Sequence, residues 1–174
     1  MPTLTQGRMP VDGGNIMLFT YQTNGYKSIA HGTSHTLSLS TSTETINSKD
    51  YGKFGMTEAG TISWEITADH LYTRDGWDTF YSKLTAPTAG DLNANKVRVI
   101  FGERAEKSNI NTYTVNNTDN GDGNWVPTTY TSYIYGGDAV ITSLSWSADQ
   151  GSKSTFSVTL SGASDIKRLS ELNS

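Results

Sequence analysis

The stretch "SHTLSLSTSTETINSKDYG", Ser34 to Gly52, decides how this chain is read. His35, Leu37 and Leu39 alternate with Thr36, Ser38 and Ser40. A period of two predicts a strand with one buried face. An exposed strand face usually mixes Lys, Glu, Arg, Gln and Thr; this one carries only hydroxyls. The same choice recurs three times. Ile62, Trp64, Ile66 and Ala68 oppose Thr61, Ser63, Glu65 and Thr67. Val140, Leu144 and Trp146 oppose Ser143, Ser145 and Ser147, and Phe156, Val158 and Leu160 oppose Thr155, Ser157, Thr159 and Ser161. The four strands are expected to form one sheet, apolar toward the core and hydroxyl-bearing on the other side.

Thr has good β propensity, so an exposed Ser/Thr face needs no function. The sharper reading is a smooth, hydrated surface without long side chains, suited to a channel along which a polymer slides. The charges near it, Glu44, Glu65 and Asp69, are acidic and would repel a phosphate backbone.

The remaining segments fit a mainly-β chain. "NIMLFTY" (Asn15 to Tyr21) and "YKSIAH" flank "TNG", whose Asn-Gly pair favours a tight hairpin. "KVRVIFG" places Val97, Val99 and Phe101 on one side, and "TYTSYIYGG" reads as a further strand. "DQGSK" is a short loop between the last two strands. One helix is expected over "DGWDTFYSKL", with Trp77, Phe80, Tyr81 and Leu84 on one face and Asp75 as its cap. Pro87 and Gly90 end it. Thr43 to Gly60 shows no period and reads as a long loop; Glu103 to Asn124 is polar and unpatterned.

The 174 residues fit a single domain. Charged residues make up 17%, below the typical ~25%, and the net charge of −4 gives no sign of a nucleic-acid binder held by counterion release. There is no cysteine, hence no disulfide framework or thiolate metal site. No secretory pattern opens the chain and no run of 18 apolar residues occurs, so a soluble protein made in a reducing cytoplasm is expected.

In this order, the motifs resemble the tail tube (major tail) proteins of tailed bacteriophages. The resemblance rests on Gly14 to Phe19, on "IAHGTSHTLSLSTSTETINSKDYG" (Ile29 to Gly52) with its Ser-Lys-Asp triplet, on "GTISWEITADHL", and on "GDAVITSLSWSADQGSKSTFSVTLSG" (Gly137 to Gly162). It covers most of the chain; residues 103–128 find no counterpart and are taken as a variable insertion within one domain, 1–174. The resemblance implies a β-sandwich or barrel-like tail tube fold with one flanking helix. It also implies hexameric rings stacked into a tube, and a lumen through which DNA passes without specific binding. Thr36, Ser38, Ser40, Ser63, Glu65, Thr67, Ser143, Ser145, Ser157 and Thr159 would then face the lumen. Residues 43–60 would be a stacking loop, with Glu44, Asn47, Lys49, Asp50, Tyr51, Lys53 and Phe54 reaching the next ring. The implied partners are further copies of the chain, tail terminator, tape measure and baseplate or tip proteins, and a sheath if the tail contracts. The implied location is the virion tail, after assembly in the host cytoplasm; neither a membrane nor a cofactor is implied.

No catalytic constellation competes. There is no G-x-S-x-G elbow, P-loop or G-x-G-x-x-G. His35 falls on the apolar side of its strand, where a core histidine is expected. His31 and His35 are four apart on a strand, without the H-E-x-x-H helix. "DNGDGN" (Asp119 to Asn124) lacks the ligand register and final Glu of an EF-hand and reads as a turn. Asn116-Asn117-Thr118 matches a glycosylation acceptor, without consequence in a chain that is not secreted. Tyr113, Trp125, Tyr130, Tyr133 and Tyr135 could stack on sugars or pack a core, and packing is the expected use. The alternatives to a phage tube are the inner tube of a contractile injection machine or type VI secretion system and, from another class, a lectin-like β-sandwich.

Overall fold

The structure is a computed structural model that describes residues 10–22, 25–29, 31–47, 49–52, 54–85, 95–104, 127 and 133–172. Lys53, Pro87, Gly90, Tyr113, Trp125 and Tyr130, the Asn116 acceptor and the "DNGDGN" turn lie outside the described residues.

Among the described residues, eight strands form one antiparallel sheet: β1 (Ile16–Gln22), β2 (Gly25–Ser28), β3 (Gly32–Ile46), β4 (Met56–Leu71), β5 (Lys96–Glu103), β6 (Tyr135–Ser147), β7 (Thr155–Gly162) and β8 (Lys167–Arg168). Their order is β2-β1-β5-β6-β7-β4-β3, with β8 against the start of β6. The expected hairpin of β1 and β2 is present, Gln22 opposite Gly25, whose φ of 117° suits glycine. The chain is mainly β with one main helix, α1 (Arg74–Thr85), and a short α2 (Leu169–Leu172).

The sheet curls, so its two ends meet over one core. Leu18, Val97 and Val99 from β1 and β5 share a cluster with Trp64, Ile66, Ala68, Phe156, Val158 and Leu160 from β4 and β7. Phe80 of α1 is fully buried against this cluster. The cap of α1 is Thr73, not Asp75: its hydroxyl accepts from the Gly76 amide at 3.1 Å. Only part of the expected helical face is covered, since Tyr81 and Leu84 remain exposed. The other face of β1 and β5 is closed by a second cluster, Met17, Phe19, Ile100, Ile134 and Leu169. Burial on both faces explains why "IMLF" does not alternate.

Three strand expectations need correction. The end of the "TYTSYIYGG" segment, from Tyr135, and the following strand are one element, β6. Within β6, Val140 lies on the hydroxyl side opposite Ser161, not inward. A bulge between Ile141 and Ser143 shifts the period, and Ile141 takes the buried place. Half of the expected 43–60 loop is strand: Thr43, Glu44, Thr45 and Ile46 of β3 pair with Ala59, Glu58, Thr57 and Met56 of β4. Arg104 and Pro127 form an isolated bridge, so the chain leaves and returns at adjacent points around 105–126.

Candidate assembly surface

The four hydroxyl-bearing strands are neighbours, in the order β6-β7-β4-β3. Register aligns their polar side chains in rows. Thr36, Thr67, Thr159 and Ser143 form one row; Ser34, Asp69, Ser157 and Ser145 form the next. Ser38, Glu65 and Ser161 form a third, and Ser40 pairs with Ser63, their hydroxyls 2.8 Å apart. The ten residues singled out from the sequence therefore share one face. Asp69 is tied to it by a hydrogen bond from the Ser157 hydroxyl. Beyond Val140 the face continues into a bidentate ion pair that no periodicity marks. Arg98 Nε and Nη2 donate to Asp138 at 2.8 and 3.1 Å. The Arg98 hydrogen bond holds the Asp138 carboxyl below its ordinary range.

Opposite this face, Trp64 seals the core. Its indole N–H donates to the Ser164 carbonyl at 2.7 Å, and its ring lies so close to Gly162 that an added Cβ would fall 2.3 Å from Nε1. His35 does lie on the apolar side, paired with buried His70, which stacks on Phe156 at 5.0 Å. His35 also lines a cleft of about 440 Å³ between the starts of β1 and β3.

Two strand edges bound the hydroxyl sheet. Among the described residues, β3 pairs only with β4. β6 loses β5 after Val140, so Ile141–Ser147 has a second unpaired side among the described residues. In an antiparallel sheet of this order, β3 and β6 run in opposite directions.

β3 and β4 also project as an arm. The β4–β7 pairing ends at Glu65 opposite Ser161, so Met56–Trp64 extends roughly 30 Å past β7. Glu44 sits on the arm. Asn47, Lys49, Asp50, Tyr51 and Phe54 occupy the short connection at its tip, with a 3-10 turn at Lys49–Tyr51. Leu39 and Ile62, read as inward-facing, are 56% and 66% exposed because the arm has left the core behind. Trp146 is likewise on the apolar side yet 53% exposed, stacked face to face on Tyr72 at 4.3 Å.

Among the described residues, no group of three or more His, Cys, Asp or Glu side chains could hold a metal ion, and no helix is long and apolar enough to cross a membrane.

The fold is that of the tail tube class to which the sequence bears its resemblance. Solved structures make the likeness concrete. The chain is similar to a protein in the tail of an empty gene transfer agent particle of C6 symmetry, with a TM-score of 0.61 and 12% identity over 91% of this chain and 98% of that one. It is similar to a chain of the native gene transfer agent virion, with a TM-score of 0.57 and 12% identity over 91% and 98%. It is also similar to the SPP1 tail tube protein, with a TM-score of 0.57 and 11% identity over 91% and 79%. No protein-family model matches the chain, and no curated protein matches it by sequence.

Proposed function

We propose that the chain is a structural tail tube subunit whose hydroxyl sheet lines the conduit for DNA. One observation carries the reading: a four-stranded sheet with a face of small hydroxyls ends in two open edges of opposite sense. Open edges invite pairing, and closure into a ring removes them. β3 of one copy would pair with Ile141–Ser147 of its neighbour, keeping the sheet antiparallel. The C6 symmetry of the matched gene transfer agent tail suggests six copies. A barrel of about 24 strands exceeds the roughly 16–18 of a porin, which already encloses an aqueous channel. The face then presents short hydrated side chains with a few carboxylates, leaving DNA little to adhere to.

In this setting the arm would reach the next ring. Terminator, tape measure and tip proteins would be the further partners, in a virion tail assembled in the host cytoplasm. The chain's role is mechanical and needs no catalytic group.

Electron microscopy of concentrated protein tests the reading, combined with hydrogen exchange. Rings or tubes are expected, with new amide protection in β3 and 141–147 on assembly. A protein that stays monomeric at every concentration overturns it.

A further inference from the structure

The two ends of the sheet carry different unpartnered apolar groups. At the arm tip, Phe54 is 85% exposed, flanked by Ile46 and Met56. At the opposite end lies an aromatic shelf. Tyr72 follows the last residue of β4; Trp146 stacks on it, Trp77 of α1 lies 5.6 Å from Trp146, and Tyr81 stacks on Trp77. Leu71, Thr155 and Ser147 form one register row, which fixes the shelf at that end. β4 has 16 residues, so tip and shelf are about 50 Å apart. Phe54 therefore cannot fold back on the shelf of its own chain without dismantling the β3–β4 pairing.

Charge points the same way. Glu44 and Glu58 stand directly opposite each other across the arm, a repulsive pairing. Arg74 and Lys153, exposed at the shelf end, form no ion pair among the described residues. Asp75, Asp78 and Asp149 share that end, so the charges set register while apolar burial supplies the attraction.

We propose that the arm tip, led by Phe54, docks on the Tyr72–Trp146–Trp77 shelf of a second copy of this chain in the adjoining ring. A tip and a shelf at opposite ends make a head-to-tail contact, which propagates along an axis instead of closing. The inference rests on the tube reading above and adds the receiving surface.

The absence of cysteine allows a clean test. Lys49→Cys places a thiol at the tip, and Asp78→Cys places one beside Trp77, leaving the apolar contacts intact. The two proteins are mixed, assembled and treated with a short bismaleimide. A mixed cross-linked dimer is expected in tubes and not in dissociated protein. Tubes without that cross-link, or equal cross-linking in single unstacked rings, overturn the docking and leave the tube function standing. Failure of either protein to form rings or tubes, when the parent chain also forms none, overturns both. Phe54→Ser should melt like the parent and still form rings, with tubes shortened at least tenfold; tubes of parental length overturn the proposal.

Discussion

Nε2 of His35 lies 3.4 Å from Nε2 of His70, joining β3 to β4 where both strands enter the core. His70 is inaccessible to solvent, and its Nδ1 has no hydrogen-bond partner among the described residues. Burial, reinforced by the His35 charge, lowers the His70 pKa to about 3, and Asp69 only partly opposes this. Burial lowers the His35 pKa too, again against Asp69.

Acid should therefore loosen the fold. Between the ordinary histidine value near 6.5 and about 3, the unfolded chain binds a proton at position 70 that the native chain refuses. Stability is full above pH 6.5 and falls on acidification by up to about 1.4 kcal/mol per pH unit for this residue. Denaturation midpoints measured from pH 7 to 4 should show a shallower slope in His70→Phe. Identical slopes would remove His70 from the acid response.

Gly162→Ala should destabilise the protein by about 1–3 kcal/mol, because the new methyl must displace a Trp64 ring held by Ser164. Urea melts read this directly. Unchanged stability would mean the ring moves freely.

Phe156 is fully buried between His70 and Phe80, with Trp77 at its edge. Phe156→Ala should cost roughly 3–5 kcal/mol and leave little soluble protein. A parental melting curve would contradict the packing.

Glu65→Lys should leave melting and tube formation unchanged, since Glu65 is exposed among hydroxyls. DNA passage should slow, as repulsion screened over ~10 Å at 0.1 M salt becomes attraction. Ejection kinetics at two salt concentrations measure it; equal rates at both would argue against a lumenal Glu65.

Replacing Glu44–Glu58 with a tight turn should preserve the melting temperature, because the described arm side chains contribute nothing to the core. Rings should form and fail to lengthen. Normal tubes would remove the arm from stacking.

The sequence made the hydroxyl rows legible because one face of each strand is buried, and burial imposes alternation. Where burial ends, so does the signal. The arm beyond Thr41 is wet on both sides, so residues 43–46 and 56–60 resemble a loop in sequence and pair as strands in space. The Thr142 bulge defeated the period at Val140. β8 and α2 are too short to show a period, and Leu169 alone marks them as buried. The aromatic shelf leaves no local pattern in the sequence because Tyr72, Trp77 and Trp146 come from separate segments that only the tertiary fold brings together.

β4 is one continuous strand from the arm tip into the sheet, where it lies between β3 and β7. A pull on the tip therefore travels along the strand axis into the ladders with β3 and β7. It loads many hydrogen bonds together in shear instead of peeling them apart one at a time. Rings stacked as proposed would pass axial tension from one subunit to the next along this strand.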